Sequence, residues 1–229
     1  MQDFYSHPFV LFALAIAPGL ALSIYFYLAD KYEKEPKVLL LKTFLSGGFS
    51  IYPAIYLTSF MTEIGFVNDN TFSGVAGYAF FAVAFSEELS KFAFFWLLCY
   101  KNPEFNEPYD GIIYSVMVAL GFATFENVLY VFEYGFSVGV LRMFTAVPAH
   151  ATFGVLIGFF AGWGKFYGNA FIVSLIGIGA AILFHGLYDF FLMKENVPFL
   201  FIGAIISLYL AIKLSKRAIR INQDLSPFK

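Results

Sequence analysis

The chain has 229 residues, of which 60% are apolar, 21% aromatic and only 13% charged. Soluble domains carry about a quarter charged residues, so this composition excludes one and places the chain in a bilayer. A net charge of −2 with no dense basic patch outside the tail speaks against nucleic acid, and a single cysteine, Cys99, excludes an internal disulfide and a thiolate metal cluster.

About twenty consecutive apolar residues cross the hydrocarbon core as a helix. The sequence therefore predicts an all-α, polytopic bundle of about seven transmembrane helices, at 8–29, 38–62, 72–100, 111–132, 137–163, 169–193 and 197–214, forming one membrane domain over 1–229. The first run lacks a basic leader and is too long for a signal-peptide core, so it is expected to stay as a span. Pro18, Pro53 and Pro148 fall inside these runs, where a missing amide donor lets a helix bend. The run 72–100 is long enough to tilt or bend.

Basic residues test the count independently, because those retained inside the cell recur in alternate loops. Lys31, Lys34 and Lys37 lie in the first loop, Lys101 in the third, Lys165 in the fifth, and Lys213, Lys216, Arg217, Arg220 and Lys229 in the tail, while the loop Glu63 to Thr71 has none. This places the N-terminus outside and the C-terminus in the cytoplasm, with Arg142 and Lys194 toward the outer side. The basic tail suits anionic headgroups of the lipid bilayer.

Several spans carry groups that a bilayer penalises by roughly 2.5 to 3.5 kcal/mol each at the helix centre, a cost that pairing, a bound ion or a wet chamber must offset. The third span carries Glu87, Glu88 and Lys91; Glu87 and Lys91 are four apart and share a face, and two adjacent carboxylates suit a group that exchanges protons. On the fourth, Phe122 and Glu126 share a face, Glu126 nearer the outer end. The fifth repeats at intervals of four, His150, Gly154, Gly158 and Gly162, a small-residue stripe that invites a neighbouring helix and turns His150 toward protein. The sixth repeats the device with Gly177, Ala181, His185 and Asp189. The last two are spaced either as two ligands on one ion or as a carboxylate orienting an imidazole. With alternating topology these groups lie at similar depths, so a shared chamber slightly outside the midplane would hold them all.

Three segments, Glu87-Glu88-Leu89-Ser90-Lys91, Phe122 through Glu126 and His185 through Asp189, resemble in order the EExxK, FxxxE and HxxxD signatures of the PrsW family of intramembrane proteases. The resemblance covers most of residues 80–192. It implies a multi-pass enzyme of the bacterial cytoplasmic membrane that makes a first cut in a membrane-anchored anti-sigma factor. Through the related type II CAAX prenyl endopeptidases it implies a glutamate that activates water. The catalytic residues it implies are Glu87, Glu88, Lys91, Glu126, His185 and Asp189. Glu126 stands where the prenyl enzymes have histidine, which removes a neutral ligand and adds an anion.

A divalent metal, zinc as the expected ion, would draw on His150, His185 and either Glu126 or Asp189, since a catalytic zinc takes three protein ligands and an open position. A version without metal, in which carboxylates and histidines alone activate water, fits the same residues. The rival of another class is a proton- or ion-coupled transporter using the same buried cluster, although the two halves of the chain show no repeat of the kind many transporters carry.

Overall fold

A computed structural model describes residues 5–194, 197 and 199–229, and all the regular structure among them is helical. In chain order the helices are α1 (Pro8–Ala29), α2 (Lys37–Phe49), α3 (Ile51–Glu63), α4 (Phe72–Gly77), a π-helical stretch (Tyr78–Ala84), α5 (Phe85–Leu98), α6 (Pro108–Tyr134), α7 (Phe136–Phe144), α8 (Ala146–Tyr167), α9 (Ala170–Met193) and α10 (Leu200–Asp224). Among the described residues five stretches are long and apolar enough to cross a membrane: Pro8–Ala29, Lys37–Glu63, Pro108–Tyr134, Phe136–Tyr167 and Ala170–Met193. The run Phe72–Leu98 carries three charges and a change of pitch, and α10 carries four basic residues in its second half, which keeps both outside that set.

Helix α6 is the axis of the bundle. Every side chain from Pro108 to Thr124 is buried, with α1, α2 and α8 packed around it. The small-residue stripe of α8 explains how so close an approach arises: a Cβ on Gly158 would run into the backbone of Gly111 and Ile112 on α6. Gly177 on α9 lies against the backbone of Ile157 in the same manner. Large apolar side chains such as Tyr52, Tyr56, Leu97 and Phe144 point outward, the surface a lipid phase requires.

Two of the expected spans are broken rather than bent, and in each the proline sits just past the break. The run 38–62 divides at Ser50, with Pro53 in the first turn of α3. The run 137–163 divides at Thr145, with Pro148 in the first turn of α8. Amides of a first turn have no partner within the helix, so proline costs nothing there. The proline thus marks a helix start near His150, where a bend had been expected. The third run changes pitch at the π-helical stretch, and Thr58 Oγ1 on α3 donates to the Ala82 carbonyl of that stretch at 3.0 Å.

The tail is longer than the sequence suggests, because α10 continues to Asp224 and locks onto other elements. Asn222 Nδ2 donates to the Pro108 carbonyl at 2.9 Å and Gln223 Nε2 to the Ala29 carbonyl at 2.6 Å, while Lys165 Nζ donates to the Tyr100 carbonyl at 2.9 Å. The end of α1, the start of α6, the end of α8 and the tail therefore gather at one end of the bundle.

That end also holds buried acids that form no salt bridge among the described residues. Asp30 and Glu35 are both buried, and the Tyr114 hydroxyl donates to Glu35. Burial pushes the Asp30 carboxyl from 3.8 up to about 7, and burial together with the Asp110 carboxylate pushes Glu35 from 4.5 up to about 10. Both values are raised, so the folded chain holds protons that the unfolded chain releases. Their contribution to stability is complete below the unfolded values and declines as pH rises toward 7 for Asp30 and 10 for Glu35. Glu35→Gln keeps an acceptor for Tyr114 and supplies a permanent donor. It is expected to raise the unfolding temperature in detergent well above pH 7 and to leave it unchanged at pH 4; an equal shift at both would contradict this account.

Candidate active site

The acids and imidazoles of four helices meet at the wall of one cavity. Glu87, Glu88 and Lys91 lie in the first two turns of α5, directly after the π-helical stretch, the kind of distortion often found beside functional groups. Glu126 comes from α6, His150 from the second turn of α8, and His185 and Asp189 from α9. The cavity measures about 520 Å³, and Glu87, Glu126, Arg142, His150, His185 and Asp189 all line it. Its remaining wall is mostly apolar, from α3, the π-helical stretch, α6, α7, α8 and α9.

Lys91 is the hub. Its ammonium donates to Glu88 Oε1 at 2.7 Å, to Glu87 Oε2 at 3.4 Å and to His150 Nδ1 at 3.0 Å, and it lies 4.3 Å from the centre of the Phe122 ring. Lys91 shares a helix face with Glu87, four residues back, yet its shorter contact is to Glu88, three residues back, and both acids turn toward the same buried ammonium. Glu88 Oε1 also meets His185 Nδ1 at 2.7 Å. Its other oxygen, Oε2, is buried with no hydrogen-bond partner among the described residues.

Each imidazole is backed by an acid. His185 Nε2 lies 3.2 Å from Asp189 Oδ2 and 3.9 Å from Glu87 Oε2, and the Phe153 ring stacks on it with centroids 4.9 Å apart. Of the two arrangements the His185–Asp189 spacing allows, the contact itself is that of a carboxylate against an imidazole. His150 Nε2 meets Glu126 Oε2 at 3.1 Å, and that oxygen also accepts from Arg142 Nη2 at 2.7 Å. The two imidazoles stand edge to face, 5.2 Å apart.

The donor set for a cation differs from the one the sequence suggests. Glu87, Glu88, His150 and His185 each place one donor atom so that all four lie within 4.8 Å of one another. Glu126 and Asp189, counted above among the ligands, stand outside this group, each behind a histidine. Two nitrogens, carboxylate oxygens and an orphaned buried oxygen on Glu88 make a donor set that a divalent metal fits.

Similarity to known proteins supplies the family. A family model described as PrsW family intramembrane metalloprotease matches residues 35–214. The chain belongs to the PrsW family. Curated relatives named Protease PrsW include one from Geobacillus kaustophilus, 38% identical over 192 residues, 82% of each chain. The Bacillus subtilis relative is 34% identical over 80% of this chain and 83% of its own. That of Clostridioides difficile is 37% identical over 81% and 80%. No solved structure matches. Membership of PrsW, with five stretches of membrane-crossing length and composition among the described residues, makes the chain a multi-pass intramembrane protease.

Sequence reading missed the partners that hold the PrsW site in place. Arg142 reads as an ordinary basic residue near the outer surface, yet it grips Glu126. Asn127, next to that acid, accepts from Arg142 Nε at 3.1 Å and donates through Nδ2 to the Ala15 carbonyl at 2.9 Å. Phe153, one of many phenylalanines, carries no signal in the sequence that it stacks on His185.

Proposed function

We propose that this PrsW-family chain is one membrane domain over residues 1–229 that crosses the bacterial cytoplasmic membrane seven times and cuts a membrane-anchored protein. Seven crossings follow when Phe72–Leu98 and the apolar first half of α10 join the five stretches above. The contacts joining Ala29 and Pro108 to the tail, and Tyr100 to Lys165, support an alternating topology, and the basic residues concentrated there support a cytoplasmic end with the N-terminus outside. The substrate is a single-span membrane protein of the anti-sigma-factor kind, the class that the family resemblance implies.

The observation that carries the hydrolytic reading is the meeting of Glu87, Glu88, His150 and His185, from three helices, at the wall of a cavity large enough for a peptide segment. Glu87 faces that cavity and Glu88 lies beneath it, so the two acids divide the work. Glu87 is the general base: it takes a proton from water as the water oxygen bonds to the scissile carbonyl carbon. The C–N bond breaks as the proton passes to the leaving nitrogen. Glu88 and Lys91 fix the floor of the site, and Asp189 and Glu126 hold the imidazoles in orientation.

Glu88, His150 and His185 would hold a divalent metal, with zinc suited to this sulfur-free donor set. When bound, such an ion lowers the pKa of its water to about 7 and polarises a carbonyl. Purified protein in detergent should cut a single-span reporter, and folded His185→Ala should lose that activity together with any stoichiometric metal. Normal cutting by that variant would refute the assignment. A wild type that cuts nothing but moves protons into liposomes would favour a transporter.

A further inference from the structure

Arg142 lies on α7, which carries none of the motif residues, yet its guanidinium is gripped on three sides. Nη2 donates to Glu126 Oε2 at 2.7 Å, Nε donates to Asn127 Oδ1 at 3.1 Å, and the group stacks over the Tyr130 ring with Cζ 4.0 Å from its centre. Asn127 is itself tied to α1 through the Ala15 carbonyl. A planar fork with two donors used in different directions and one face on an aromatic ring has little freedom left. Its partner Glu126 has correspondingly little, since Oε2 accepts both from Arg142 and from His150 Nε2.

We infer that Arg142 is a positioning residue: it fixes Glu126 so that this carboxylate accepts a hydrogen bond from His150 Nε2, which leaves Nδ1 as the nitrogen turned into the site. The Lys91 ammonium donates to Nδ1 at 3.0 Å, so that nitrogen carries the lone pair and Nε2 carries the proton. A carboxylate behind an imidazole sets tautomer and ring angle in this manner at many metal and catalytic histidines. A lone Glu126 on the cavity wall would be free to turn toward water. Arg142 removes that freedom, and the break at Thr145 that begins α8 places α7, which carries Arg142, across from α6. The inference rests on the hydrolytic reading for its consequence in rate, but its geometric content is independent of that reading.

Two measurements test it. In kinetics, Arg142→Gln should lower kcat by about 10- to 100-fold with KM little changed, the usual loss when a partner behind a catalytic or metal-binding imidazole is removed. Arg142→Lys, which keeps the charge but not the fork, should lie between. Because Arg142 acts through Glu126, adding Arg142→Gln to Glu126→Gln should produce almost no further loss. Multiplying losses, or an effect on KM alone, would overturn the inference.

The second readout needs no turnover. With only three histidines in the chain, ¹⁵N-imidazole NMR of the folded protein can resolve His150, assigned by loss of its signal in His150→Asn. The wild type should show Nε2 protonated and hydrogen-bonded. Arg142→Gln, and Arg142→Lys to a lesser degree, should shift that signal away from the Nε2-protonated form toward an average of the two tautomers. An unmoved signal in both variants would overturn the inference even if cleavage is lost. A wild type that does not cut, but whose His150 signal responds as stated, would refute the protease mechanism and leave the positioning role standing.

Discussion

Replacing Glu87 by glutamine is expected to slow cleavage of a single-span reporter by about 10²- to 10⁴-fold, the range a general base supplies, while the unfolding temperature barely moves. The two halves of this expectation come from the same geometry. Glu87 lines the cavity, and its contacts inside the protein are long, 3.4 Å to Lys91 and 3.9 Å to His185, so little of the fold rests on its charge. Glutamine has the same shape and can still accept from Lys91, but it cannot take a proton from water. The variant therefore isolates chemistry from packing. Rates measured on folded protein at saturating reporter give the comparison directly, and a Glu87→Gln enzyme that cuts at the wild-type rate would move the base elsewhere and undo the assigned division between the two acids.

What was legible in the sequence follows from which signals a bilayer amplifies. A charge in an apolar run is conspicuous because it is expensive, so Glu87, Glu88, Glu126, His185 and Asp189 stand out and their gathering can be anticipated from depth alone. Small residues at intervals of four reveal a packing face for the same reason, and the stripe of α8 does lie against α6. Helix breaks within apolar runs are less visible. Lipid composition does not change at Ser50 or Thr145, and proline marks them only indirectly, because it is tolerated both at a bend and in a first turn. The π-helical stretch has no compositional mark at all: Tyr78–Ala84 reads as ordinary apolar helix, and the Thr58 hydroxyl that meets its carbonyl comes from another helix. Arg142 was hidden by its own type, since an arginine near the outer end of a span has a ready explanation in water. Only the fold shows that it turns inward to Glu126.

Glu88 should behave oppositely to Glu87. Its carboxylate is wholly buried and its Oε1 takes both the Lys91 ammonium and His185 Nδ1 at 2.7 Å. Glu88→Ala would leave an ammonium and an imidazole facing an apolar gap, and breaking one partner out of a buried ion pair costs about 3–5 kcal/mol. The variant is expected to unfold at markedly lower denaturant in detergent and to be inactive, but inactivity alone would not distinguish a functional acid from a staple between α5 and α9. The distinction lies in removing both charges. Replacing a buried ion pair by apolar side chains of similar size is often neutral or stabilising, so Glu88→Leu combined with Lys91→Met should recover much of the lost stability. If Glu88 only pins helices, that double variant should cut the reporter again. If Glu88 and Lys91 hold the floor of a hydrolytic site, the protein should fold and remain inactive, because a leucine can fill the space between two helices but offers His185, His150 and water nothing to bind.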